Sequence, residues 1–130
     1  MGSRMSKIGL TVLGIVIAGG VTQAADTPSL TGTWTGSGQG VGKEEGWTTE
    51  ELTLEITEQR GPAFMGHKVY DKDQRDDFLG AVAADGRTVH IVDSDGQNVG
   101  TFTAPDRLDL CYFEIGADAE ATCWVLKRAP

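Results

Sequence analysis

The chain has 130 residues, a formal net charge of −8 at pH 7 and two cysteines. A chain of this length suits one domain with a single core. The excess of acidic residues opposes contact with the phosphate backbones of nucleic acids and with anionic lipid surfaces. We therefore expect no nucleic-acid partner, and we attribute the acidity to solubility.

Residues 1–25 have the three-part pattern of a secretory signal peptide. Basic residues come first, an apolar run from Ile8 to Ala18 follows, and small residues lead up to Ala24 and Ala25. The apolar run is shorter than the roughly 20 residues that a membrane-spanning helix needs. We predict cleavage after Ala24 or Ala25, no stable membrane anchor, and a periplasmic or secreted location.

The remaining residues, 26–130, are predicted to form one all-β domain. Eight segments have the composition of β-strands and are separated by Gly, Asp and Pro turns. They cover residues 30–39, 50–58, 63–70, 78–84, 88–93, 98–104, 107–114 and 121–128. Such an even meander is the simplest way to close a small up-and-down antiparallel eight-stranded β-barrel, and this is the predicted fold.

The predicted connections differ in character. Residues 36–46 are rich in glycine, and residues 71–77 form a charged loop. The Asp-Gly pairs at 85–86 and 95–96 are typical of two-residue hairpin turns.

The last predicted hairpin carries both cysteines. Cys111 and Cys123 lie directly opposite each other if the turn centres on Ala117. Cysteines of exported proteins are normally oxidised, so we predict one disulfide, with a pair of free buried thiols as the alternative. Strand alternation places one set of large residues inside the barrel: Leu108, Leu110, Tyr112, Trp124 and Leu126. The other face carries Phe113 and Val125, which indicates a covering loop or a subunit contact, so a homo-oligomer stays open.

No catalytic, cofactor or metal motif stands out. The glycine-rich segment 37–42 does not lead into a helix, as a phosphate-binding loop must. The acidic loop 71–77 lacks the glycine and the terminal Glu of a calcium-binding hand. We expect no cofactor, no metal and no enzymatic activity, although a barrel enzyme of the isomerase or cyclase kind stays open.

The first and last strands resemble those of a known group of barrels. The segment 29–34, Ser-Leu-Thr-Gly-Thr-Trp, resembles the opening of avidin-like barrels, and its Gly-x-Trp resembles the opening of lipocalins. Residues 122–126 resemble an avidin strand whose Trp lines the ligand pocket. The chain thus resembles the calycin-like eight-stranded barrels. The resemblance implies that Trp34 closes one end of the barrel and packs on Arg128 or Lys127.

The resemblance also implies a cavity, but not the ligand of the avidins. Gly36, Gly40 and Lys68 occupy positions where that family places the polar side chains that hold biotin. We predict instead that the interior binds a small, partly apolar ligand. The alternative is a protein-interaction module, similar to small protease-inhibitor barrels, that acts through its surface and loops.

The candidate ligand-binding residues are Trp34, Trp47, His67, Tyr112 and Trp124. Trp34, Tyr112 and Trp124 are equally explained as core, since a small barrel must fill its centre. Trp47 follows the glycine-rich segment, where it could cover the barrel mouth as a lid or fasten the loop to the barrel. His67 lies on the third predicted strand, either as a polar group inside the pocket or as an exposed strand residue.

Overall fold

The structure, a computed structural model, describes residues 19–20, 26–70 and 74–130. These residues form one closed barrel of eight antiparallel strands in chain order, with β8 pairing back onto β1. The strands are β1 (Gly32–Gly42), β2 (Gly46–Arg60), β3 (Ala63–Tyr70), β4 (Gln74–Val82), β5 (Thr88–Val92), β6 (Gln97–Ala104), β7 (Arg107–Glu114) and β8 (Glu120–Arg128). The predicted all-β up-and-down barrel is confirmed.

The predicted signal peptide lies outside the described residues, apart from Gly19 and Gly20. In the part of the chain that is described, no helix is long and apolar enough to cross a membrane.

The glycine-rich segment 36–46 is mostly strand, not the predicted connection, because β1 continues to Gly42. Its even-numbered glycines lie on the inner face, where β8 comes very close. A Cβ on Gly38 would lie 2.4 Å from Cδ1 of Trp124, and one on Gly40 would lie 2.0 Å from Oγ1 of Thr122. The missing side chains therefore make room for the inner face of β8.

Residues 74–77 of the charged loop predicted at 71–77 belong instead to β4, which begins at Gln74, and residues 71–73 lie outside the described residues. Asp76 pairs with Lys68, and Asp77 pairs with His67. Cross-strand neighbours of opposite charge stabilise a sheet, so the basic groups of β3 allow the acidic segment to join it.

Neither Asp-Gly pair forms the predicted two-residue hairpin turn, because longer connections separate the strands. Oδ1 of Asp85 accepts hydrogen bonds of 2.8 Å from the N–H groups of Arg87 and Thr88. Asp93 does the same for Asp95 and Gly96, at 2.9 Å each. The aspartate side chains thus take the place of backbone partners, as in Asx turns.

The core fills one end of the barrel around Trp34. The Nε1–H of Trp34 donates to the carbonyl of Leu30 at 2.9 Å, and its ring lies 5.6 Å from that of Phe102. The guanidinium of Arg128 lies 4.6 Å from the Trp34 ring centroid and donates to the carbonyl of Ser29. The segment before β1 is thus tied across this end, and the predicted packing of a late basic residue on Trp34 is confirmed for Arg128.

The predicted faces of the last hairpin are confirmed. All five residues expected inside are buried: Leu108, Leu110, Tyr112, Trp124 and Leu126. Cys111 and Cys123 are bonded on the outer face, with their Cα atoms 4.0 Å apart. Because the core fills the end of the barrel around Trp34, we call that end the closed end.

Candidate ligand-binding cavity

A cavity of about 890 Å3 occupies the end of the barrel opposite Trp34. Its apolar surface comes mainly from Leu52, Tyr70, Tyr112 and Trp124. These residues stand where the eight strands reach that end, and strand alternation directs them inward. A more open depression of about 440 Å3 lies on the outside of the barrel beside Trp47.

A buried ion pair lies at the wall of the cavity. The Nζ of Lys68 lies 2.6 Å from Oδ2 of Asp93, whose side chain has no exposed surface. Burial by itself would raise the pKa of Asp93, but hydrogen bonds from Lys68 and from the N–H groups of Asp95 and Gly96 outweigh it and lower this pKa. Asp93 is therefore ionised at neutral pH, and it compensates the charge of Lys68.

Two tyrosines stand beside this pair. The Nζ of Lys68 lies 4.7 Å from the ring centroid of Tyr112 and 5.3 Å from that of Tyr70. Such distances allow attraction between an ammonium and the face of an aromatic ring. This part of the cavity wall thus stabilises a positive charge with one carboxylate and two rings.

The tyrosine hydroxyls donate to carboxylates. Tyr70 donates to Oδ2 of Asp76 at 2.7 Å, and this bond raises the pKa of Tyr70 to about 12. Tyr112 donates to Oε2 of Glu114 at 3.1 Å, and burial, followed by the hydrogen bond to Glu114, raises its pKa as well. Both hydroxyls therefore keep their protons at neutral pH.

Acidic side chains surround the opening. Seven of them, which we call the mouth carboxylates, line the cavity: Glu45, Glu50, Glu51, Asp76, Asp95, Glu114 and Glu120. Glu114 and Glu120 are direct cross-strand partners. The hydroxyl of Thr122 donates to Oε1 of Glu120 at 2.8 Å, so Glu120, like Asp76 and Glu114, is positioned by a neighbouring hydroxyl. Among the described lining residues, Lys68 is the one basic side chain.

Three polar groups of the lining have no hydrogen-bond partner among the described residues. Oγ1 of Thr48 and the Nε1–H of Trp124 are buried and unpaired. The Asn98 side chain, 3% exposed, also makes no hydrogen bond to a described residue. Buried polar groups are normally hydrogen-bonded, so these three offer hydrogen-bonding capacity at the wall of the cavity.

The cavity brings together two of the five predicted ligand-binding residues, Tyr112 and Trp124. Trp34 lies in the packed closed end and does not reach the cavity. Trp47 lies on the outer face, 88% exposed, and neither covers the mouth nor fastens a loop. The reason is that β2 begins at Gly46, so that alternation directs Trp47 outward and Thr48 inward.

His67 also lies on the outer face, since its neighbour Lys68 points inward. Its Nε2 lies 3.0 Å from Oε2 of Glu55, and its Nδ1 lies 3.1 Å from Nη2 of Arg75. The structure therefore places His67 in a polar cluster outside the barrel.

Sequence reasoning missed the polar half of the cavity: Lys68, Tyr70, Asp76, Asp93 and Asn98. The signal was available in the alternation of β3, where Lys68 and Tyr70 share a face with buried Phe64. A charged residue on an inward-facing position of a barrel strand needs a partner or a cavity. Asp76 has the same position relative to buried Phe78 in β4.

No model of a known protein family matches the sequence, and no curated protein shows significant similarity to it. The eight-stranded antiparallel barrel is consistent with a calycin-like fold. The Cys111–Cys123 disulfide is consistent with an oxidising, exported compartment. Among the described residues, no group of three or more His, Cys, Asp or Glu side chains is placed to hold a metal ion.

Proposed function

We propose that the protein is an exported, calycin-like barrel that binds a small, partly apolar ligand in its interior. The observation that carries the proposal is the cavity of about 890 Å3 at one end of the barrel. Ligand sites of folded proteins are concave, span roughly 300–1,000 Å3, and combine an aromatic wall with a few convergent polar groups. Tyr70, Tyr112 and Trp124 supply such a wall, and Asn98 and Lys68 supply polar groups.

Two features support the calycin-like and exported parts of the proposal. Trp34 closes one end of the barrel beneath Arg128, as the resemblance to avidins and lipocalins implies. The disulfide and the signal-like residues 1–25 both suit a periplasmic or secreted protein.

The protonation states of the cavity favour binding over catalysis. A general acid or base works best with a pKa near the working pH. The pKa of Tyr70 is raised to about 12, that of Tyr112 is also raised, and that of Asp93 is lowered. These three groups therefore hold fixed protonation states near pH 7, which suits the recognition of a ligand.

Native mass spectrometry of protein purified from its exported form tests the proposal. We expect a small molecule to travel with the folded protein and to be released on denaturation. The Trp124→Ala variant should lose this adduct. The Trp47→Ala variant should retain it, because the Trp47 side chain lies on the outer face of the barrel. An adduct that survives Trp124→Ala, or no adduct together with no quenching of tryptophan fluorescence by added small molecules, would contradict interior binding.

The second candidate is a protein-interaction module. A row of apolar residues crosses the outer face next to the mouth, where Val41 pairs with both Trp47 and Ala121, and Ala121 pairs with Phe113. Trp47 is 88% exposed and Phe113 43% exposed, and exposed aromatic residues in a contiguous row are typical of contact surfaces. The same mass spectra distinguish the two functions, because this one predicts a bound protein chain or a second copy, lost in Trp47→Ser.

A further inference from the structure

The charge of the cavity is strongly unbalanced. The seven mouth carboxylates line the cavity, and Lys68 is the one basic side chain among the described lining residues. The Lys68 ammonium is already paired with the Asp93 carboxylate, with 2.6 Å between Nζ and Oδ2. It therefore neutralises little of the negative charge of the mouth carboxylates. The described lining of the cavity therefore carries a net negative charge.

Two of these carboxylates are placed where their mutual repulsion destabilises the fold when no ligand is bound. Glu114 and Glu120 are direct cross-strand partners, and like charges in that position destabilise a sheet. Hydrogen bonds from Tyr112 and Thr122 hold both carboxylates at the cavity. A positive charge placed between them would relieve the repulsion.

A second, independent observation indicates a polar ligand. The side chain of Asn98 lines the cavity, is 3% exposed, and has no hydrogen-bond partner among the described residues. Its amide oxygen can accept a hydrogen bond from an N–H group. Asn98 pairs with Tyr112 across β6 and β7, so this acceptor stands next to an aromatic ring.

The surroundings of Lys68 indicate which kind of ligand the cavity suits. The ammonium of Lys68 lies within 5.3 Å of two tyrosine ring centroids. Rings of this kind attract organic cations through the same electrostatic effect. A single metal ion fits less well, because no three potential ligands of the described residues are grouped to hold one.

We propose that the ligand of the cavity is a small organic cation, namely an amine or a quaternary ammonium with an apolar body. The mouth carboxylates recognise its charge, Asn98 accepts from its N–H groups where it has them, and Tyr112 and Trp124 contact its apolar body. This inference rests on the proposed function, since it names the chemical class of the interior ligand.

Calorimetric titration of the full protein with three probes of similar shape tests it: phenethylamine, phenethyl alcohol and hydrocinnamate. We expect the amine to bind about tenfold more tightly than the alcohol, a ratio typical of one charge-assisted or cation–π contact. The anion should bind more weakly than the alcohol. Added salt should weaken the amine only, because it screens exposed charges.

A matched pair of variants locates the effect. Glu114→Gln/Glu120→Gln should reduce the affinity for phenethylamine about tenfold, leave the affinity for phenethyl alcohol unchanged, and raise the melting temperature, because it removes the repulsion. The control is Glu58→Gln, which makes the same chemical change near the end of β2, beside Gln59 at the closed end. It should leave the affinity for the amine unchanged.

The outcomes separate this inference from the proposed function. If the alcohol or hydrocinnamate binds the wild-type protein as tightly as the amine, the preference for a cation is refuted while interior binding stands. If none of the three probes binds and no molecule co-purifies, both are refuted. Equal loss of amine affinity in Glu58→Gln would show that net charge, and not the mouth carboxylates, attracts the cation.

Discussion

Lys68 and Asp93 join β3 to the turn after β5 beside the cavity, with 2.6 Å between Nζ and Oδ2. The same Asp93 carboxylate organises its turn, because Oδ1 accepts from the N–H groups of Asp95 and Gly96. One side chain therefore organises the turn that follows β5 and neutralises the lysine that lines an acidic cavity.

Replacing Lys68 with Met should lower the free energy of unfolding by about 3 kcal/mol, because it leaves Asp93 buried and unpaired. The double variant Lys68→Met/Asp93→Asn should recover much of this loss, since a neutral Asn still accepts the turn hydrogen bonds. Urea unfolding of the wild type, both single variants and the double variant measures the coupling. Additive losses would show that the two residues do not act as a pair.

Stability should also fall at low pH through Asp85. The hydroxyl of Thr88 donates to Asp85 at 2.6 Å, and with the backbone N–H groups of Thr88 and Arg87 it lowers the pKa of Asp85 from 3.8 to about 2. A pKa that is lower in the folded state means stability that is present above pH 3.8 and is lost as the pH falls through about 2.

To test this, the wild-type protein is compared with Asp85→Asn, a variant that keeps a hydrogen-bond acceptor and removes the charge. The difference in unfolding free energy between wild type and variant should be largest near neutral pH and should shrink between about pH 4 and pH 2. A difference that stays constant over this range would contradict the role of the charge.

Trp124 and Trp47 should respond differently to truncation. Trp124→Ala removes a buried cavity wall and should lower stability by about 3–5 kcal/mol. It should also weaken binding of an interior ligand by about 1–3 kcal/mol, the effect of losing a central aromatic contact. Trp47→Ala should leave both unchanged, because its ring is 88% exposed on the outer face. Thermal unfolding and ligand titration of both variants make the test.

A methyl group on Gly38 should be poorly tolerated. Its Cβ would lie 2.3 Å from the carbonyl oxygen of Cys123 and 2.4 Å from Cδ1 of Trp124, and the first of these is backbone. We expect Gly38→Ala to lower the unfolding free energy by at least about 1–3 kcal/mol. Gly42→Ala is the control on the same face, because its nearest contact, at 3.3 Å, is the flexible end of Glu45. Equal effects in urea unfolding would argue against close packing of β1 on β8.

Loss of the disulfide should weaken the barrel without changing its topology. The double variant Cys111→Ser/Cys123→Ser should lose about 2–3 kcal/mol of unfolding free energy, the contribution of closing a short loop. Alkylation of the wild-type protein under denaturing, non-reducing conditions should label neither cysteine. Two labelled thiols would show that the bond does not form.

The sequence alone was sufficient for features that depend on local pattern. A period of two along β7 and β8 predicts which side chains are buried, and the symmetric position of Cys111 and Cys123 about one turn predicts their bond. The number and order of strands follow from the spacing of the turns. These features need only the pleat of a strand and the geometry of a hairpin.

The cavity was decided by tertiary structure. The glycines of β1 are typical of a loop when read along the chain, yet they lie in a strand because β8, which follows much later in sequence, packs against them. Likewise, Lys68 lies on β3 and Asp93 in the turn after β5, two strands that are not neighbours, so no local pattern pairs them. Only closure of the barrel gathers carboxylates from several strands around one opening. Closure fixes the stagger between the strands, and the stagger determines which inward-facing residues lie at the same height along the barrel axis.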